Sequence, residues 1–283
     1  MAQSLRFAFF GTPQVAVYVL EELEREGFIP EVIITAPDAP AGRGMKITAP
    51  PTKVWAEAHG IPILQPEKLD DAFLSILRDA HCDLFIVAAY GKIIPERIFH
   101  LPRHETLNVH PSLLPRLRGA SPIQSAILEE SETGVSIMLI DNEMDHGPIV
   151  AQKKVLVSPW PPKAGELERL LATEGGKLLA EVIPQWVRGS LVRREQNHAN
   201  ATYCKKFSPS DALVDIVGDP EQAFRKIQAF DHSPRAHFFA ERNDKKMRVI
   251  ITDATLEDGQ LIIKRVLPEG KKEMPYEDFL RGN

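Results

Sequence analysis

Cysteine is scarce: Cys82 and Cys204 are the two in 283 residues, far apart, with no second thiol near either. That spacing excludes a zinc knuckle or a disulfide framework and leads us to expect a reduced, intracellular protein. Long apolar runs are missing too. No stretch approaches the roughly 18 residues a membrane span needs. The opening MAQSLRFAFFG has no basic segment leading into a long apolar one, so neither secretion nor membrane insertion is expected. Nor is there a surplus of positive charge: 34 Lys and Arg stand against 39 Asp and Glu, a formal charge of −5. A general nucleic-acid coat would be basic, so a polyanionic partner has to be gripped by local clusters. What is present, 43% hydrophobic and 26% charged residues, is the composition of a folded globular chain with room for two domains.

Along the chain, Leu5 to Phe10 is an apolar run stopped by Gly11-Thr12-Pro13, a buried strand entering a turn. Val15, Val19, Leu20 and Leu23 then recur at helical spacing, and Glu31 to Thr35 is a second strand, completing a βαβ unit. The alternation continues with helices over 54–59 and 72–78 around a strand at 61–64, then strands at 83–89 and 106–110 and a helix at 123–128. Strands at 135–140 and 149–157 follow, and a helix at 165–187 that has to tolerate Gly175 and Gly176. We place a catalytic domain over 1–190 and a linker over 191–207, where periodicity fades and Arg193, Arg194, Lys205 and Lys206 gather. A small β-rich domain follows over 208–283, with a helix at 221–229 and strands at 247–252 and 260–266.

In an open α/β sheet the ligand lies outside the carboxyl ends of the strands. Gly11-Thr12-Pro13 sits at such an end, but a dinucleotide fingerprint needs three glycines, so this segment reads as a tight turn into a helix. LNVHPSLLPRLRGASPI (107–123) is richer. Asn108 and His110 are two apart on a strand end and therefore share a face. An amide and an imidazole so placed serve acyl transfer, the one donating to an oxyanion, the other managing a proton; alternatively they cap the strand end. Asp145, in MDHGPIV (144–150), either bonds its own turn or orients the imidazole of His110. His146 has no second ligand at metal spacing and reads as a surface residue, so no metal is expected. Finally, PDAPAGRGMKITAPPTK (37–53) is a long Pro/Gly loop carrying Arg43, Lys46 and Lys53. Loops of that length without secondary structure of their own are uncommon unless functional, and a basic arm suits an anionic substrate such as an RNA end.

These blocks resemble the methionyl-tRNA formyltransferase family. FFGTP, PDAPAGRGMK, PPTKVWA, VAAYGKIIP, LNVHPSLLPRLRGASPI and TGVSIMLIDNEMDHGPI match in order over about the first 205 positions. The resemblance implies an α/β, Rossmann-like formyltransferase domain with a mostly parallel sheet, followed by a small, shortened, OB-like β domain. It implies 10-formyltetrahydrofolate as donor, methionyl initiator tRNA as acceptor, and a cytoplasmic monomer. It assigns Asn108, His110 and Asp145 to catalysis. Ser112, Leu113, Leu114 and Pro115, with Ala88, Ala89, Tyr90 and Gly91, fall to the folate, and Arg43, Lys46 and Lys53 to the tRNA. The last 76 residues depart from the pattern: Ile216 follows Asp215 where the family usually has Trp, and the segment, 12 basic against 14 acidic residues, is no bulk cationic clamp. That departure favours the alternative acceptor, an amino sugar nucleotide.

Overall fold

The computed structural model describes residues 5–41, 44–242 and 245–282. In chain order the first elements are β1 (Phe7–Gly11), α1 (Gln14–Arg25), β2 (Val32–Ile34), β3 (Ala39–Ala41), β4 (Lys46–Thr48), α2 (Pro51–Ala58), β5 (Ile63–Leu64), α3 (Asp71–Asp79), β6 (Leu84–Ala88), α4 (Glu96–Phe99) and β7 (Thr106–His110). There follow β8 (Arg118–Gly119), α5 (Pro122–Glu129), β9 (Thr133–Leu139), β10 (Ile149–Val155), α6 (Ala164–Val187), β11 (Tyr203–Cys204), α7 (Pro220–Ala229), β12 (His237–Arg242), β13 (Lys245–Glu257), β14 (Gln260–Pro268), β15 (Met274–Pro275) and α8 (Tyr276–Arg281).

Seven strands form the main sheet in the order β10-β9-β7-β6-β1-β2-β5. From β5 to β7 all pairings are parallel, and β9 runs antiparallel to β7. The central strands β1, β2 and β6 read as unbroken apolar runs because both faces are covered. Ala8, Phe10, Phe85 and Val87 join Phe73, Leu74 and Leu77 of α3 and Ile98 and Phe99 of α4 in one buried cluster. On the opposite face α6 lies close against β7 and α1: a Cβ on Gly175 would stand 2.6 Å from Val109 Cγ1, and one on Gly176 2.7 Å from Glu22 Cβ. The two glycines that weaken the helical pattern are thus what lets α6 approach; tertiary contact overrides propensity here.

Contacts divide the chain into two units of interleaved segments. The first comprises the described residues of Met1–Arg118, Gly134–Val155 and Arg169–Thr202, the second those of Gly119–Thr133, Leu156–Glu168 and Tyr203–Asn283. This cuts across the expected stretches 1–190, 191–207 and 208–283, for local reasons. In the second unit Arg225 of α7 donates to the carbonyls of Ile127 and Glu130 at the end of α5, both at 2.9 Å, capping a helix terminus with a cation. In the first unit the 191–202 segment is structured, with Ile149 and Arg194 exchanging backbone hydrogen bonds of 2.8 Å.

The second unit is β-rich as expected. Its four-stranded antiparallel sheet runs β12-β13-β14-β15, with an irregularity between Ile251 and Ala254. Asp219 caps α7 by accepting from the N–H groups of Glu221 and Gln222, and Pro220 occupies the first turn. No pairing among the described residues closes this sheet into a barrel: β15 is two residues long and ends in Pro275, which has no N–H to extend the ladder. No described helix is long and apolar enough to cross a membrane.

Candidate active site

From β1 the chain moves to β2 on one side, and from β6 to β7 on the other, so the strand order reverses between β1 and β6. That switch point is where an open α/β sheet leaves a crevice at its carboxyl edge. The register fixes what borders it. Gly11 pairs with Ala88, Val87 with Asn108, and His110 with Ser136. The loops 12–13, 89–91 and 111–112 therefore leave neighbouring strands at one level. Thr12 knits two of them, its hydroxyl donating to the Tyr90 carbonyl at 3.1 Å while Pro13 leads into α1 as the turn reading requires.

Asn108 and His110 share a face of β7, Asn108 half-buried and His110 with 4% of its surface exposed. The Asn108 amide makes no hydrogen bond among the described residues, which leaves donors and acceptor for a ligand. The imidazole is held from two sides. Nε2 donates to the Leu117 carbonyl at 3.0 Å, since a carbonyl only accepts, and Nδ1 faces Asp145 Oδ1 at 3.6 Å. That separation is ion-pair reach, longer than a hydrogen bond. So two of the residues singled out from sequence, His110 and Asp145, meet through Nδ1, the imidazole nitrogen not committed to the backbone, and Asn108 lies two residues earlier on the same face of β7. Leu117, Asp145 and Ala89 all adopt positive φ, +59°, +52° and +49°. Such conformations persist where the surroundings over-determine them, and they cluster at functional sites.

The turn after β7 is internally tied. Ser112 Oγ donates to the Arg116 carbonyl at 2.7 Å, Ser136 Oγ donates to the Ser112 carbonyl at 2.7 Å, and Gln152 donates to the Leu114 carbonyl at 2.9 Å. Leu114 is buried against Met138 and Ile149. The hydroxyl of Ser112 and the side chain of Leu114 thus build the turn, while Leu113 and Pro115 remain half-buried at its surface. Along 88–91, Ala88 is buried, Ala89 exposed and Gly91 open. Tyr90 belongs to the core: its ring meets Phe10 edge-on at 5.4 Å, and burial raises its phenol to about 12. The Tyr90 hydroxyl is buried with no hydrogen-bond partner among the described residues.

The basic loop is not structureless. β3 and β4 form an antiparallel hairpin, Ala39 opposite Thr48 and Ala41 opposite Lys46, and α2 starts at Pro51. Lys46 is exposed on it; Arg43 lies outside the described residues. Lys53 is occupied at the hairpin's base, its Nζ donating to both Asp38 oxygens at 2.8 and 2.9 Å. A hydrogen bond from Gln65, together with Lys53, holds the Asp38 carboxyl below the usual range.

Two side chains that sequence reasoning passed over stand behind the site. Arg118 is fully buried, and Gln196, within the expected linker, is 4% exposed; the two are hydrogen-bonded. Buried polar residues 78 positions apart leave no periodic signal. His146, expected at the surface, is instead half-buried, with its ring stacked on His198 at 4.0 Å and Nδ1 2.6 Å from Asp141 Oδ2.

A formyl transferase domain model matches residues 5–183. A methionyl-tRNA formyltransferase of Thermotoga maritima is 40% identical over 300 residues, covering 98% of this chain and 95% of that one. The chain belongs to the methionyl-tRNA formyltransferase family. The match runs through the second unit as well. In fold, a methionyl-tRNA formyltransferase of Clostridium thermocellum covers 96% of this chain and 99% of its own at TM-score 0.61 and 17% identity. An N-formyltransferase of Helicobacter canadensis, in complex with folinic acid and dTDP-3-aminofucose, covers 89% of each at TM-score 0.63 and 18% identity. Likenesses at that identity show the fold alone.

Proposed function

We propose that this chain transfers the formyl group of 10-formyltetrahydrofolate to the α-amino group of methionyl initiator tRNA, in the cytoplasm. The observation that carries the chemistry is the apposition of His110 and Asp145 at the carboxyl edge of the sheet, with Asn108 on the same face of β7 and its amide without a hydrogen bond among the described residues. The edge of the sheet suits a folate: exposed Ala89 and open Gly91 leave room, and half-buried Leu113 and Pro115 offer apolar surface. Ser112 and Leu114 shape that turn from within, and Tyr90 backs it from the core. Bound there, the donor supplies an acyl carbon already activated for transfer.

The α-amine must be neutral to attack. An ordinary α-amino group has a pKa of about 7.7–8.0, and an adjacent ester lowers it, so no strong base is required. Asn108 donates to the formyl oxygen as negative charge develops on it. His110, fixed by Leu117 through Nε2, uses Nδ1 to stabilise the same charge when protonated, with Asp145 as the carboxylate that balances it. Asp145 also takes the proton released by the amine as the new N–C bond forms and returns it to the donor nitrogen as the old C–N bond breaks, so that tetrahydrofolate leaves neutral and the carboxylate is restored. Arg43, Lys46 and Lys53 serve the acceptor stem, Lys46 from the hairpin and Lys53 by anchoring its base through Asp38.

The test is competition for the acceptor: charged initiator tRNA and an amino sugar nucleotide, supplied together with the formyl donor. Formyl-methionine on the tRNA is the expected product. Formyl on the sugar nucleotide alone would overturn the tRNA reading while leaving the chemistry intact.

A further inference from the structure

The loop Asp145-His146-Gly147 is held by interactions that lead back to a single buried cation. Arg118 donates through Nε and Nη2 to Oε1 of Gln196, at 3.1 and 2.6 Å, and through Nη2 to Nδ1 of His198 at 2.9 Å. A guanidinium only donates, so it sets the Gln196 amide one way round, oxygen toward Arg118 and nitrogen toward the loop. That nitrogen donates to the carbonyls of Asp145 at 3.0 Å and Gly147 at 2.7 Å. The same guanidinium fixes the His198 ring, on which the ring of His146 lies nearly parallel, 7° apart. One arginine thereby governs three consecutive loop residues. The loop has no slack on its far side, where a Cβ on Gly147 would stand 2.1 Å from the Leu139 carbonyl. Asp145 meanwhile holds a positive φ that its surroundings must maintain.

We propose that Gln196, oriented by Arg118, is a positioning residue for formyl transfer: it holds the Asp145 backbone so that the carboxylate faces His110. This rests on the reading of His110 and Asp145 as the reacting pair. A side chain of this kind sets the geometry of groups that touch substrate without touching substrate itself.

Gln196→Glu isolates the effect. A carboxylate keeps a partner for Arg118 but loses both N–H donors to the loop carbonyls. Steady-state kinetics on the full chain should show kcat down about 10–100-fold, with KM for methionyl-tRNA and for the donor within about two-fold of wild type. Gln196→Met, which keeps the volume and also loses the donors, should repeat this split and serves if the first variant fails to fold. In an Asp145→Asn background the Gln196 substitution should cost little more, because both act on one carboxylate. Wild-type kcat in the folded Gln196 variants would overturn the proposal, as would a full, multiplicative loss on top of Asp145→Asn. Asp145→Asn with wild-type activity would overturn the underlying reading of the site instead.

Discussion

The site and the basic hairpin lie on the same sheet-based unit and are built on opposite principles. At the site His110 is 4% exposed, Arg118 fully buried, and the flanking turns are tied by side-chain hydrogen bonds. On the hairpin Met45 and Ile47 are 69% and 68% exposed, Lys46 stands in solvent, and the side-chain anchor is the exposed Lys53–Asp38 pair at its base. Chemistry requires groups held to a fraction of an ångström before substrate arrives. Gripping a large polyanion needs only charge within reach and tolerates movement. Substitutions at the two regions should therefore fail differently.

The largest effect belongs to Asn108→Ala, which removes a donor to the developing oxyanion. By analogy with other such donors, kcat should fall about 10²–10³-fold with KM for the tRNA nearly unchanged, as steady-state kinetics will show. Next comes the packing beneath the site. Gly176→Ala drives a methyl into Glu22 and the Val19 carbonyl, and overpacking of this kind costs about 1–3 kcal/mol, measurable by urea denaturation. A smaller effect is expected at Lys46→Ala: a rise in KM for the tRNA of about several-fold, shallower salt dependence, and unchanged kcat. A kcat loss there would erase the contrast between the two regions. The smallest concerns Asp38. Its carboxyl is held below the ordinary range, so its anchoring is fully present above about pH 4 and is lost as pH falls through the lowered value. Proteolysis within the hairpin should be constant from neutral pH down to that point and rise below it. Lys53→Met should give the rise at neutral pH.

Legibility in the sequence followed the same divide. Strands buried on both faces, such as β1 and β6, announce themselves as apolar runs, and β7 falls at 106–110 as read. Asn108 and His110 were legible because a period of two puts them on one face. The hairpin escapes because Pro40 sits within β3 and each strand is three residues long, too short for a pattern to show. β12 escapes for a related reason: its inward side runs Phe238, Ala240, Arg242, and with one large apolar residue among the three the period of two does not show in residue type. Arg118 and Gln196 were hidden by their residue types. Charged and amide side chains are placed at the surface by default, and burial of this pair is decided by partners distant in sequence.

Rapid-quench single turnover at saturating methionyl-tRNA, comparing wild type with Asn108→Ala and Lys46→Ala, tests the separation most directly. The account predicts a rate constant about 100-fold or more lower for Asn108→Ala and a wild-type rate constant, reached at higher tRNA concentration, for Lys46→Ala. A wild-type rate constant for Asn108→Ala would contradict it.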